Sequence, residues 1–454
     1  MTIYDLLMDF AFASVLILIS QYLRAKVKLF QFLFMPASMI AGFIGLFLGK
    51  QFLNVIPFTK FIGSYAGALM ILIFTIIGVN GFKSSNNASD SILKRSTSYM
   101  LYRFFLFFVQ IAVPIVLTLG VLVKYYPQLN PGIALLLPGG FYGGHGTSAA
   151  LGSTFKALGW ADANDLGMTF STIGILIGII GGLMFIKWGT RNGHTQYIKD
   201  FSALDNSLRT GLIPPAEQHE LARETISSVS LDPLAFHMAI AFATGGLGYA
   251  LNRKILAPYV LKGIPDMTVA FLIGLLFFFA FRKTRVYDYV DTRLTNRISG
   301  TATDYLVFFG IASINTTIII NNIVPLLALV GVGILCTFIV MIPFGYKMNK
   351  DSWFERSIFV FGQFTGVFAI GFILLRIVDP ENKSCAVEDT AMTPYMYFVE
   401  AIIWSIVPAM LMNGQGWYVA AVTGALAVAC IILAVVGKMW YTAPLSQRGK
   451  VPHD

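Results

Sequence analysis

The sequence predicts an all-α polytopic membrane protein: about eleven transmembrane helices in two inverted-topology repeats of five spans, each with a re-entrant hairpin. Three observations lead there. The 454 residues are 56% hydrophobic and only 12% charged, with a mean hydropathy of +0.72. A water-soluble domain carries ~25% charged residues. Apolar stretches of about 18 residues or more, enough to cross ~30 Å of hydrocarbon, recur from end to end. Two further apolar stretches are interrupted by clustered glycines. This composition excludes a cytosolic enzyme, a disordered regulator and a coiled coil. Runs of this length also exclude barrel strands, which alternate over ~10 residues. The net charge of +9 reads as loop charge, so no nucleic-acid partner is expected.

In chain order the spans are drawn at 6–23, 34–49, 62–82, 99–123, 166–188, 234–251, 265–281, 304–321, 324–346, 394–412 and 417–440. The second is short as drawn, and its ends are expected to reach further. The stretch 131–158 holds Gly139, Gly140, Gly143, Gly144 and Gly146 behind Pro138. Each glycine costs about 1 kcal/mol relative to Ala inside a helix, which disfavours a continuous helix there. Two half-helices of ~8–12 residues, at 1.5 Å rise, reach mid-membrane instead. The stretch 357–378 holds Gly362, Gly366 and Gly371 around Gln363 and Thr365. Both are read as re-entrant hairpins, which a bilayer tolerates only within protein or beside water.

Loop charge fixes the expected orientation. With both hairpins re-entrant, 25 of the 32 Lys and Arg fall on one side and 7 on the other. Letting the first hairpin cross weakens the split to 21 against 11. The plasma (inner) membrane is expected, with the N-terminus outside and the C-terminus cytoplasmic. The 7 external residues are Lys50, Lys60, Lys124, Lys156, Arg253, Lys254 and Lys262. No basic leader precedes the first span, which carries Asp5 and Asp9 instead, so no cleavable signal is expected. Cys336, Cys385 and Cys430 make no disulfide framework.

The halves repeat. Residues 35–46 (MPASMIAGFIGL) align with 264–275 (IPDMTVAFLIGL), and Ile77-Gly-Val-Asn80 resembles Ala312-Ser-Ile-Asn315. The expected organisation is a first repeat at 1–188 with hairpin 131–158 and an inverted second repeat at 234–413 with hairpin 357–378. A cytoplasmic linker at 189–233, carrying Glu217, Glu220 and Glu224 and one short surface helix, joins them. An extra span and cytoplasmic tail follow at 414–454. Inverted repeats with broken elements at their interface are a transporter signature.

The densest chemistry is Gly143-Gly144-His145-Gly146-Thr147-Ser148. Glycines let backbone approach a ligand, and a half-helix starting near Thr147 would aim its positive end at the turn. That suits a carboxylate, while carbonyls of the opposing half-helix suit Na⁺. Thr147 and Ser148 are candidates to cap the helix or bind substrate. The segment lacks the Lys of a phosphate loop, and His145 lacks the neighbours of a metal site. A glycine packing patch around a buried histidine is the structural alternative. Thr365 and Gly366 are the matching candidates in the second hairpin.

The Gly-Gly-His-Gly-Thr run in a mid-membrane hairpin resembles the sodium/glutamate symporter family, as do Pro36 with Ala41-Gly42 and Ile77-Gly-Val-Asn80. The resemblance spans roughly 1–413 and is strongest up to Trp188. It implies a sodium-coupled secondary transporter of glutamate: a homodimer with an elevator-like core movement, Na⁺ as coupling ion and no cofactor. The second hairpin departs from the family's Thr-Pro-Thr pattern and ends Leu374-Leu-Arg-Ile-Val-Asp-Pro380, as in a longer, divergent branch.

Arg376 has two readings: a bidentate clamp for a substrate carboxylate, or an Arg reaching the cytoplasmic surface, with Asp379 a partner either way. Glu400, inside the tenth span, is a candidate to bind Na⁺, carry a proton or pair with a basic residue. Asn80 and Asn315, with Asn321, offer amide oxygens to a cation or bonds to neighbouring helices. Thr316 and Thr317 are weaker candidates. Tyr102 and Arg103 read as interface anchors, and the phenylalanines as mostly lipid-facing filler. The function expected is sodium-coupled uptake of glutamate or a similar small anion by alternating access. A carrier of another amino acid or organic anion, possible with H⁺ through Glu400, is the runner-up. A cation/proton antiporter would need a denser acidic site. No enzyme activity is expected, since nothing acidic sits beside His145 and Ser148 in sequence.

Overall fold

The computed structural model describes residues 3–33, 35–81, 90–197, 210–215, 218, 223–259, 266–350, 352–379, 383–384, 386–391 and 395–441. Ile264, Pro265, Cys385, Glu217, Glu220 and the tail after Tyr441, all named above, lie outside the described residues. Among those described, every regular element is a helix. The first half holds α1 Ile3–Lys26, α2 Ala37–Leu48, α3 Ile62–Asn80, α4 Asp90–Leu117, the pair α5 Ile133–Phe141 and α6 Gly144–Ala157, and α7 Ala163–Arg191. The second holds α8 Pro233–Leu251, α9 Asp266–Phe281, α10 Thr292–Ala312, α11 Thr316–Asn321, α12 Ile323–Met348, α13 Trp353–Val378, α14 Ala386–Ala391 and α15 Tyr395–Met412. α16 Gly416–Val436 follows. A π-helical turn, Thr118–Leu122, carries α4 on to Tyr125.

The protein is an all-α multi-pass membrane protein. α1, α3, α4, α7, α8, α12 and α16 are long and apolar enough to cross a bilayer, and α2, α9 and most of α15 are shorter apolar helices. The fourth helix starts earlier than drawn, at Asp90, the sixth runs on to Tyr259, and the second and eighth spans differ in kind. The second is shorter, not longer: Pro36 begins α2 and the chain leaves helix at Gly49. The eighth begins at Thr292 and breaks at Ser313–Asn315. Its first turns carry Arg293, Arg297 and Asp304, which hide an amphipathic helix from a hydropathy reading. The Asp291 carboxylate caps it by accepting the Arg293 N–H at 2.9 Å.

The helices pack as two groups. In one, α2 lies on α10 and α9 on α3, with α1 on α2 and α8 on α9. α3 and α9 touch backbone to backbone because Gly78 and Gly274 face each other there: a Cβ on either would run into the other helix's main chain. Without a hydrophobic drive between helices in lipid, such close packing is a main source of association. In the other group α7 is central, and α5, α6 and α13 all pack on it.

Part of the phenylalanine is core rather than periphery. Phe107, Phe141, Phe155, Phe170, Phe308, Phe309 and Phe354 are fully buried, where packing between helices needs their volume. Asp389 of α14 is buried in a knot of donors. It accepts from Arg95 Nε at 2.9 Å, Ser96 Oγ at 2.7 Å and Arg356 Nη2 at 2.5 Å. This pins the segment after α13 to the start of α4. Cys336 and Cys430 are buried free thiols.

Candidate functional site

Both glycine-broken stretches are pairs of half-helices. The first breaks at Tyr142–Gly143, and Gly144 takes φ +67°, a left-handed value open to glycine. The second breaks at Gly366 and Val367; Val367 has φ 68° and ψ 168°, a region almost closed to any residue but glycine. The two breaks meet, since a Cβ placed on Gly144 would strike Val367 Cγ1. α7 holds both. Gly140 lies against Phe170 and Ser171, while Gly174 and Gly178 lie against Thr365 and Gly366. Tyr142 and Phe364 close the contact with ring centroids 4.5 Å apart.

This defines the electrostatics. α6 starts at Gly144 rather than near Thr147, so Thr147 is not its cap, and Gly143 offers no side-chain cap. The first-turn N–H groups of α6 therefore lack intrahelical partners beside Val367, a partial positive charge. The carbonyls that end α5 and the first half of α13 lie at the same breaks, with the opposite partial charge.

The polar side chains near the breaks are buried and largely satisfied. His145 bonds Thr172 Oγ1 at 3.0 Å. Ser148 Oγ donates to the Gly167 carbonyl at 2.8 Å and lies 2.8 Å from Ser171 Oγ. Thr365 Oγ1 donates back to Phe361 O at 2.7 Å. Thus Gly143, Gly144, Thr365 and Gly366 sit where the hairpins meet, while His145, Gly146, Thr147 and Ser148 face inward from the first turns of α6. Arg376 does not join them: it is exposed near the far end of α13, its guanidinium 4.9 Å from the Phe372 centroid. At 1.5 Å per residue it stands roughly 15 Å along the helix from Gly366. Asp379 is buried and accepts from the Lys383 and Ser384 N–H groups at 2.8 and 2.7 Å.

The candidate cation ligands are spread apart. Asn80 ends α3, accepting from Thr295 Oγ1 at 2.6 Å and donating to Asn296 Oδ1 at 2.8 Å. Asn315 caps α11 and donates its N–H to Asp165 Oδ1 at 2.9 Å. It belongs to the other end of α3, where Gly63 lies against Ser313. Asn321 is the last residue of α11, which Thr316 and Thr317 open. Glu400 accepts a hydrogen bond from the Tyr142 hydroxyl beside the first break and lies within electrostatic reach of Arg103.

Sequence reasoning missed what surrounds the second break. Tyr102 and Arg103 are not interface anchors: they are 0% and 3% exposed. Arg103 Nη2 donates to Gln363 Oε1 at 3.2 Å, and Tyr102 donates to Met341 O at 3.3 Å. Gln110 Nε2 donates to Phe364 O at 3.0 Å and to Thr337 Oγ1 at 2.7 Å. Its Oε1 is buried without a hydrogen-bond partner, a free hard-oxygen acceptor next to the break. The signal was there: Arg103 and Gln110 are polar interruptions of an apolar run, and such residues face the protein. Among the described residues no three His, Cys, Asp or Glu side chains converge; the oxygens at the breaks are amide, hydroxyl and carbonyl groups with the one carboxylate of Glu400, hard donors suited to Na⁺ rather than a soft transition metal.

Many helices crossing a bilayer, two meeting hairpins and opposed helix ends define a membrane carrier. The comparison with known families makes this specific: the chain belongs to the sodium/glutamate symporter family, whose model matches residues 2–393. No curated protein and no solved structure matches the chain. It is a transporter rather than an enzyme, of a family with Na⁺ as coupling ion and a glutamate-like substrate.

Proposed function

We propose that this protein takes up glutamate, or a similar small anionic amino acid, with Na⁺ by alternating access across the plasma (inner) membrane, as a homodimer. The observation that carries the reading is the meeting of the two breaks at Gly144 and Val367. The α6 N-terminus there favours a substrate carboxylate, and the carbonyls of the first half-helices, with Gln110 Oε1, favour Na⁺. Arg103, the buried cation bonded to Gln363, takes the carboxylate-recognising role in preference to the exposed Arg376. The repeated halves support a rocking or sliding exchange: α2 on α10 and α9 on α3 are the contacts that swapping the halves would interchange. Importing a −1 substrate against an interior-negative potential costs about 2.3 kcal/mol per 100 mV. One Na⁺ cancels this, and a second makes the potential help.

Glu400 favours a second reading, coupling to H⁺, because its carboxylate bonds Tyr142 at the first break. Labelled glutamate uptake into proteoliposomes separates the two. A Na⁺ gradient is expected to drive accumulation, and a pH gradient in Na⁺-free medium is not. Equal uptake under both hands the coupling to Glu400.

A further inference from the structure

A large cavity lies away from the hairpin breaks. About 770 Å³ opens between α3, the last turns of α6, the start of α7, and α8. Lys60, Lys156 and Arg253 line it. All three belong to the small set of basic residues expected outside, so their convergence runs against the depletion of Lys and Arg on that face. Arg253 is taken: its Nη2 lies 2.7 Å from Asp266 Oδ2. Lys60 and Lys156 are exposed and form no ion pair among the described residues. Asp165 also lines the cavity, and one of its oxygens accepts the Asn315 N–H. The charge left over is two ammonium groups and one carboxylate. An acidic amino acid carries the inverse set, two carboxylates and one ammonium.

We propose that this crevice is an outer capture site for an acidic amino acid, with Lys60 and Lys156 holding its carboxylates and Asp165 its ammonium. The proposal rests on the substrate reading above but concerns a separate compartment. Met70 of α3 is 3% exposed, and a Cβ on Gly146 would meet its Sδ and Cε, so Met70 stands between the crevice and the first hairpin's break. A cation-bearing cleft between low-dielectric walls concentrates anions and speeds their arrival.

Ser153 lines the same crevice and supplies the test. In a Ser153→Cys protein, with the label taken up by the parent subtracted, an anionic methanethiosulfonate is expected to outpace a cationic one by about tenfold relative to a free thiol. Lys60→Gln with Lys156→Gln should abolish that bias. Glutamate should protect the introduced thiol, and glutarate, which lacks the ammonium, should protect it less. In uptake the double variant should raise KM about tenfold with kcat kept. Asp165→Asn, which still accepts the Asn315 N–H, should narrow the preference for glutamate over glutarate. A bias unchanged in the double variant, no protection by glutamate, or a fall in kcat at unchanged KM would each overturn the capture site. Labelling needs no transport, so a protein that protects its thiol yet carries no glutamate fails the earlier reading alone.

Discussion

Adding one methyl group at the meeting of the hairpins, Gly144→Ala, tests whether their contact matters to transport. Two costs follow from the structure. Gly144 has φ +67°, and a residue with a Cβ pays about 1–2 kcal/mol there. The new methyl also strikes Val367 Cγ1, an overpacking cost of typically about 1–3 kcal/mol. The sum, about 2–5 kcal/mol, falls on whichever state brings the breaks together. Val367→Gly removes the obstructing methyls, and with them the strain of a valine at φ 68° and ψ 168°. It cannot remove the strain at residue 144. The gain in uptake that Val367→Gly brings to Gly144→Ala should therefore exceed the gain it brings to wild type by about 5- to 150-fold, the packing part alone, and the double variant should stay below Val367→Gly. The assay is the initial rate of Na⁺-driven glutamate uptake into proteoliposomes, normalised to reconstituted protein, with retention on a sizing column as the folding control. Strictly additive effects would show that the methyl does not act through Val367. Wild-type uptake by Gly144→Ala would show that transport does not need the contact.

Three further outcomes are expected. Arg376→Gln should leave the KM for glutamate within about threefold of wild type, as for an Arg whose head lies in water, whereas Arg103→Lys should raise it about tenfold, because an ammonium cannot present the guanidinium fork; the opposite ranking restores the clamp to Arg376. Asp389→Asn leaves Arg95 and Arg356 without their shared carboxylate, so the detergent-solubilised protein should lose about 3–5 kcal/mol of stability, read as a lower thermal midpoint, and an unchanged midpoint would contradict the pinning role. Reporter fusions after Asp5 and after Asp454 should report opposite sides, outside and inside, and the same side for both would refute the orientation.

Glycine carried most of what the sequence revealed, because in a bilayer-length apolar run nothing but a turn or a close contact justifies its cost. The first hairpin followed from its glycine density. The second followed from Gly362 and Gly366, although the left-handed residue proved to be Val367, for which no composition rule looks. The repeat reading paired Gly45 with Gly274, and both lie against a crossing helix: Gly45 on Ala312 of α10, Gly274 on Gly78 of α3. What stayed hidden depended on partners distant in sequence. The apolar run around Arg103 marks it as facing protein, but only the fold shows that its partner is Gln363, 260 residues on. The start of α10 was obscured by the exposed Arg293 and Arg297, and farther along it Asp304 accepts from Ser38 Oγ of α2 at 2.9 Å. Arg376 stood out in one dimension because its neighbours are apolar, and three dimensions showed it exposed, lying over the ring of Phe372 and far from the break.

The last helix lies outside the stretch matched by the family, yet it is bound into the rest. Gly416 at its start lies against Leu119, Trp417 lies beside Gly120, and beyond its end the Tyr441 N–H donates to Lys347 O at 2.8 Å. It thus lies along α4, a helix inserted roughly three hundred residues earlier, at the far extreme of contact order for a chain this long. During synthesis one flank of α4 must stay open to lipid, or to a surrogate, until the final span arrives. Assembly of the first half is therefore not complete when the first half has been made. A nonsense mutation just short of residue 416 would spare α1 to α15 and both helix breaks, and still leave α4 without its cover.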